Sequence, residues 1–208
     1  MRSPIHRWNS THWILINLCE LQVQYIGEGD IRYTIDSIGG LRSLQTLKIE
    51  ISTEDTTRIP EIHLHPLSRC QHLLQLKLLC RFRNNANWKL PTEVLPNLKY
   101  LFLDAYNLTE DPMPMLEKLP KLTVLLLYNY PEKKLVCTSG GFPQLEILQL
   151  VQSHVDELQM EVGGMPVLMG LLMSDDDDHY YDDDVSMPDR LRSIPAPDSP
   201  FNRSEWAY

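Results

Sequence analysis

The chain is short of nearly every feature that announces a chemistry. Basic charge is scarce: 19 lysines and arginines face 28 acids in 208 residues, a net charge of −9. Residues 174–208 hold 10 acids against 3 arginines, so everything before them is nearly neutral at −2. With no basic patch to neutralise phosphates, no nucleic-acid partner is expected. Long apolar runs are missing too. Trp13 to Leu18 is broken by Asn17 and soon followed by Glu20. It is too short for a membrane span and poorly flanked for a signal peptide, and the chain reads as soluble and cytoplasmic. Cysteines number only four, Cys19, Cys70, Cys80 and Cys137. Their spacing fits neither a dense disulfide framework nor paired metal knuckles, so reduced thiols are expected. The sequons at Asn9, Asn107 and Asn202 are read as chance matches. No Gly-x-x-x-x-Gly-Lys-Ser/Thr loop, Gly-x-Ser-x-Gly elbow, His-Glu-x-x-His pair or dinucleotide fingerprint occurs, and Gly27-Glu-Gly29 is a loop pair only. Neither an enzyme nor a cofactor is expected.

What the chain does have is repetition. A template of the form Leu-x-x-Leu-x-x-Leu-x-Leu recurs seven times. The copies are Leu15, Leu18, Leu21, Val23; Leu41, Leu44, Leu47, Ile49; Cys70, Leu73, Leu76, Leu78; and Leu95, Leu98, Leu101, Leu103. They continue as Leu119, Leu122, Leu125, Leu127; Phe142, Leu145, Leu148, Leu150; and, weakest, Met165, Leu168, Leu171, Met173. Third members are separated by 26, 29, 25, 24, 23 and 23 residues, inside the range of about 20 to 29 that marks leucine-rich repeats.

The closing Leu-x-Leu of each copy alternates as a strand does, aliphatics inward and intervening residues outward. The expected fold class is therefore α/β: a leucine-rich-repeat solenoid with a short parallel β-sheet on the concave face and irregular or short-helical convex returns. Ile31, Ile35 and Ile38 serve the first return, and Met113, Met115 and Leu116 the fourth, where Asp111 before Pro112 reads as a helix cap with proline at the first helical position. Pro96, Pro120, Pro143 and Pro166 each follow the first template member and mark the turn into the strand. One copy alone buries too little to fold, so neighbours must stack. The expected division is an irregular lead-in at 1–12, a solenoid of about seven repeats at 13–173 and an acidic, disordered tail at 174–208, with seven aspartates between Asp175 and Asp184. That run lacks the glycine turn and distal glutamate of a calcium loop. His63, His65, Cys70 and His72 form the one metal-like cluster, but Cys70 stands in an inward leucine position, so no metal site is expected.

The strings Leu108-Thr-Glu-Asp-Pro-Met-Pro-Met-Leu-Glu-Lys-Leu-Pro120, Val136-Cys-Thr-Ser-Gly-Gly-Phe-Pro-Gln-Leu-Glu-Ile-Leu-Gln-Leu150 and Glu161-Val-Gly-Gly-Met-Pro-Val-Leu168 resemble the carboxy-terminal repeats of plant disease-resistance proteins. The subclass is the one that joins a coiled coil, a nucleotide-binding switch and leucine-rich repeats. Similarity is clearest over about residues 35–173, and Met187-Pro-Asp-Arg-Leu-Arg-Ser-Ile-Pro195 is similar to a closing motif of some members. The resemblance implies a recognition and autoinhibition module of plant innate immunity, whose protein partner is a pathogen effector, a guarded host protein or an own-family switch domain. ATP binding is not carried over, because the phosphate loop is absent. The alternative is a generic repeat adaptor or scaffold, such as a ubiquitin-ligase substrate receptor.

Outward strand positions give the candidate binding face. Glu20, Gln22, Gln24, Thr46, Lys48, Glu50, Gln75 and Lys77 are polar, with Leu79 closing the third strand. From the fourth strand onward the face turns apolar and aromatic: Tyr100, Phe102, Asp104, then Val124, Leu126, Tyr128, then Ile147, Gln149, Val151, with Leu172 beyond. Tyr100, Phe102, Val124, Leu126, Tyr128, Ile147 and Val151 are the expected partner-binding residues, centred on Tyr100, Phe102, Leu126 and Tyr128.

Overall fold

The computed structural model describes residues 18–26, 32–52, 64–81, 95–104, 111–174 and 186–197. The lead-in at 1–12, Leu15, Ile31, His63 and the aspartate run lie outside them. Each described template copy ends in a strand: β1 (Glu20–Ile26), β2 (Thr46–Ser52), β3 (Gln75–Arg81), β4 (Tyr100–Asp104), β5 (Val124–Tyr128), β7 (Ile147–Val151) and β9 (Gly170–Ser174). They form one parallel sheet in chain order, β1-β2-β3-β4-β5-β7-β9. Leu21, Leu47, Leu76, Leu101, Leu125, Leu148 and Leu171 stand opposite one another on successive strands. The solenoid expected from the leucine spacing is the observed fold.

Two backbone devices repeat with the template. First, a turn joins its first two members, the Leu44, Leu73, Leu98, Leu145 and Leu168 amides donating to the Leu41, Cys70, Leu95, Phe142 and Met165 carbonyls. Pro96, Pro143 and Pro166 occupy the second position of such turns, where the φ angle that the pyrrolidine ring fixes is the one required. Second, two consecutive amides of each coil converge on one carbonyl of the coil before. Gln45 and Thr46 donate to Cys19, Leu74 and Gln75 to Gln45, Lys99 and Tyr100 to Leu74, Thr123 and Val124 to Lys99, Glu146 and Ile147 to Thr123, and Met169 and Gly170 to Glu146.

The convex returns change character along the chain. Earlier ones are helical, in α1 (Arg32–Ile38), a 3-10 turn (His65–Arg69) and α2 (Met113–Leu116), and they bury Ile35, Ile38, Leu67, Met113 and Leu116 against the core. Pro112 already has helical dihedrals, and the Met113 amide donates to Asp111 Oδ1 at 2.9 Å, so Asp111 caps α2 from one residue before the proline. The later returns are extended instead, a feature the leucine spacing does not announce. β6 (Lys134–Cys137) and β8 (Glu157–Met160) pair in parallel as a second, two-stranded sheet, continued by a bridge from Glu157 to Ser186. In these coils Gly140 and Gly163 take φ of 73° and 83°, and Phe142 and Met165, fully buried, take 51° and 43°.

Within the segment expected as a disordered tail, residues 186–197 are folded. An eighth template copy continues there in step with the seventh, Leu191 following Leu168 and Ile194 following Leu171 at the spacing of the preceding coils. The Leu191 amide donates to the Pro188 carbonyl, as in the other turns, Leu191 is buried, and the Leu171 amide donates to the Pro195 carbonyl. Arg190, in α3 (Asp189–Arg192), donates to the Gly164 and Met165 carbonyls and closes over the last full coil. Fold elements thus extend past 173, because this segment supplies the aliphatics that cover the final ladder.

Two substitutions test this packing in urea unfolding. Leu125→Ala, with no exposed surface at the native residue, is expected to cost about 2–5 kcal/mol. Gly164→Ala sets a Cβ 2.8 Å from Cys137 Sγ and 3.1 Å from Met160 Cγ, and is expected to cost about 1–3 kcal/mol. Wild-type midpoints in both would contradict the ladder and the close coil-to-coil approach.

Candidate protein-binding face

Because the strands are parallel and in register, outward residues line up in rows across the sheet. One row runs Glu20, Thr46, Gln75, Tyr100, Val124, Ile147, Gly170, and the next runs Gln22, Lys48, Lys77, Phe102, Leu126, Gln149, Leu172. In the third, Asp104, Tyr128, Val151 and Ser174 follow one another on β4, β5, β7 and β9. The structure therefore brings all seven candidate residues together on three adjacent strands. Leu79, Phe102, Val124 and Leu126 form a hydrophobic cluster separate from the core, with Tyr128 and Ile147 packed against it. The Phe102 and Tyr128 rings stack with centroids 6.4 Å apart.

Their exposure is lower than outward positions imply. Tyr100 is 38% exposed, and Tyr128, Ile147 and Val151 are half-buried, whereas Phe102, Val124 and Leu126 keep 9%, 3% and 6%. Neighbouring rungs are about 4.8 Å apart, close enough for large side chains to shield one another laterally. Leu79 joins the cluster from a strand that otherwise reads as polar. Two polar groups in the middle row are also sealed. Lys77 is 1% exposed with its Nζ 4.6 Å from the Phe102 ring centroid, a cation–π contact, and Gln149 is 1% exposed. Asp104, also buried, accepts from Asn129 Nδ2 at 3.0 Å. Lys77 and Gln149 are the residues sequence reasoning placed on the face but did not identify as buried. Alternation reports which side of a sheet a residue takes, not what lies above it.

Elsewhere the titratable groups serve packing. The Cys70 thiol donates to the Ile38 carbonyl at 3.5 Å, while His65 and His72 are exposed, so these three members of the metal-like cluster do not converge. Among the described residues no group of three or more His, Cys, Asp or Glu side chains has a metal-holding arrangement. Tyr130 is buried and donates to Asp111 Oδ1 at 2.9 Å, and that burial with the Asp111 charge pushes its hydroxyl pKa up. Burial raises the Cys70 pKa, and burial followed by the Glu117 charge pushes the Cys137 thiol up to about 11. Neither thiol is poised as a nucleophile.

Comparison with known proteins agrees with this geometry. The leucine-rich repeat region family model matches residues 13–187. Putative disease resistance RPP13-like protein 2 of Arabidopsis thaliana is 33% identical over 197 residues, covering 88% of this chain and 21% of the relative. From the same organism, probable disease resistance protein RF45 is 32% identical over 86% of this chain and 17% of its own length. Disease resistance protein RPP8 is 35% identical over 67% of this chain and 15% of its own. The chain thus spans about a fifth or less of the length of these relatives. Among solved structures, a TLR13–ssRNA13 complex aligns with a TM-score of 0.46 at 19% identity, covering 81% of this chain and 26% of that one. Among the described residues no helix is long and apolar enough to cross a membrane.

The raised Cys137 pKa gives a pH test. The folded state prefers the neutral thiol, so its stabilisation is present below pH 9 and is lost as pH rises from 9 to about 11. Wild-type stability, measured against Cys137→Ala at each pH, is expected to fall across that window. A constant difference between the two proteins from pH 8 to 11 would contradict the burial.

Proposed function

From the premise that the chain belongs to the leucine-rich repeat region family, we propose that it is a protein-interaction module of plant defence, acting in recognition and autoinhibition in the cytoplasm. Its partner is a protein: a pathogen effector, a guarded host protein or a nucleotide-binding switch domain of its own family. Support for the defence role comes from relatives that are disease-resistance proteins, similar over most of this chain. The observation that carries the interaction reading is the second hydrophobic cluster, Leu79, Phe102, Val124 and Leu126, on the face of the sheet turned away from the core. A solenoid does not need apolar residues there to fold, and around this buried cluster Tyr100 stays exposed and Tyr128, Ile147 and Val151 half-buried, a grouping of aromatic and aliphatic side chains of the kind protein recognition uses.

The binding residues proposed are Tyr100, Phe102, Val124, Leu126, Tyr128, Ile147 and Val151. Tyr100 and Tyr128 combine an apolar ring with a polar tip at the rim, and Phe102 and Leu126 form the centre. Lys48 and Glu50 on β2 lie on the polar side of the same face. Charges at that end orient a partner and set its rate of approach, whereas the apolar end supplies affinity. No phosphate-binding loop occurs within the 208 residues, so in this proposal nucleotide-driven switching lies outside them.

The test is a binding titration with the nucleotide-binding module of a resistance protein of this family as the probe. Phe102→Glu combined with Leu126→Glu is expected to weaken binding by about 2 kcal/mol or more, with the circular dichroism spectrum unchanged. A folded double variant that retains wild-type affinity would remove the proposal. Coding sequence upstream of Met1 separates this reading from a ubiquitin-ligase adaptor: a nucleotide switch supports the first, ligase-recruiting helices the second.

A further inference from the structure

On the flank of the solenoid, where each coil enters its strand, one residue stands on either side of the second template member. In three consecutive coils these residues are polar: Asn97 and Lys99 around Leu98, Lys121 and Thr123 around Leu122, Gln144 and Glu146 around Leu145. The next coil puts Val167 and Met169 there, around Leu168, and they stay 47% and 62% exposed. Stacking makes these positions equivalent, since the Thr123, Glu146 and Met169 amides donate in turn to the Lys99, Thr123 and Glu146 carbonyls. Pro166, also exposed, extends the apolar strip. Core packing does not require it, because Met165, Leu171 and Met173 are the side chains this coil buries. Contiguous apolar exposure at positions that neighbouring coils keep polar marks a contact surface.

Charge on either side of the strip identifies what it contacts. One coil before it stands Glu146, and in the coil after it Arg190 and Arg192 flank the buried Leu191. All three charged residues are exposed. Over three successive coils the flank therefore reads acidic, apolar, basic. Such an order is its own complement when one copy is reversed: apolar meets apolar, and each acid meets the bases of the other copy. Both arginines also hold contacts within their own chain, Arg190 with the Gly164 and Met165 carbonyls. A guanidinium has five N–H donors and can serve a carboxylate in addition.

We propose that this flank is a self-association site, where a second copy of the chain docks antiparallel about a two-fold axis that lies in the interface and crosses the solenoid at the level of Met169. Val167 and Met169 then pack on their counterparts. Glu146 lies one coil, about 4.8 Å, to one side of the axis and Arg192 one coil to the other, so the axis brings Glu146 of each copy opposite Arg192 of the other. A parallel arrangement sets Glu146 on Glu146 and Arg192 on Arg192, and like charges disfavour it. The strip is small for an interface, so the dimer is weak and concentration-dependent. This site leaves the outward strand rows open and does not rest on the partner proposed for them.

Sedimentation velocity of the full chain over a concentration series tests the proposal. Wild type is expected to shift from monomer to dimer as concentration rises, with no larger species, because a two-fold contact closes on itself. Met169→Glu is expected to weaken association by about tenfold or more. Glu146→Arg and Arg192→Glu are each expected to weaken it several-fold, and the two combined to restore it, since the swap recreates the opposite-charge pairs. All three positions are exposed, so urea midpoints should stay near the wild-type value. A wild type that stays monomeric at every concentration overturns the proposal, as does a charge-swapped double variant that associates no better than the single ones. Association kept in Met169→Glu but lost in Phe102→Glu combined with Leu126→Glu also overturns it, and moves self-association to the concave face.

Discussion

Everything in this molecule depends on register between consecutive coils. One carbonyl per coil receives two successive amides from the next, from Cys19 through to Glu146, and that convergence sets which residue of one strand lies opposite which of its neighbour. Side chains alternate with a period of two, so a slip of one residue would turn the leucine ladder to solvent and the polar row to the core. The hydrophobic penalty for that slip falls on every rung simultaneously. Register is therefore enforced by burial along the whole ladder, and the hydrogen bonds make it discrete. The candidate binding face is a by-product of the same constraint: a patch spanning β4, β5 and β7 exists only because outward residues from successive coils are held side by side.

Coil length then decides what the convex side can be. The early coils are the longer ones and have room for helical returns, whereas the last coils are the shortest. A strand advances about 3.3 Å per residue against about 1.5 Å for a helix, so a short coil crosses the convex side by extending, as β6 and β8 do. Compression has a conformational cost. Asn129 and Gln152, Gly140 and Gly163, and Phe142 and Met165 recur at equivalent positions with positive φ. For the non-glycine residues this costs about 1–3 kcal/mol each. Burying the Phe142 and Met165 side chains completely offsets the strain, and the second glycine of each pair leaves space for the neighbouring coil, as at Gly164 against Cys137.

How much of this is legible in the sequence follows from which interactions are periodic. The ladder, the turn prolines and the Asp111 cap can be read directly, because each places one residue type at a fixed offset from the leucines. The return strands cannot: Lys134–Cys137 is too short for alternation to stand out, although Glu157–Met160 matches it one coil later and the pair could have been found by that match. The eighth copy is hidden because Pro188 replaces the aliphatic first member and Ala196 the last, leaving Leu191 and Ile194 inside a segment whose acidity suggests disorder. Alternation puts all seven face residues on the correct side of the sheet. Their burial is not readable, since alternation reports the side of the sheet and not how closely large neighbours on adjacent strands pack against each residue.

The graded face also constrains how anything can sit on it. Its first strands are polar, its last ones apolar, and the boundary falls between β3 and β4, where Lys77 lies beside Phe102 with its Nζ against the ring. A cation held there gains from the ring and loses its hydration, so the charge on that rung is held within the face rather than offered to solvent. Gln149, on the far side of Leu126, places a donor where only an acceptor is stabilising. Two buried polar groups thus bracket the apolar pair Phe102 and Leu126 along one row. An occupant that matched only the hydrophobic middle would leave the Gln149 donor unsatisfied, at a cost of about 1–3 kcal/mol. In the proposed binding, affinity comes from the middle of the row and register from the polar groups that bracket it, by the same division that holds the solenoid itself in place.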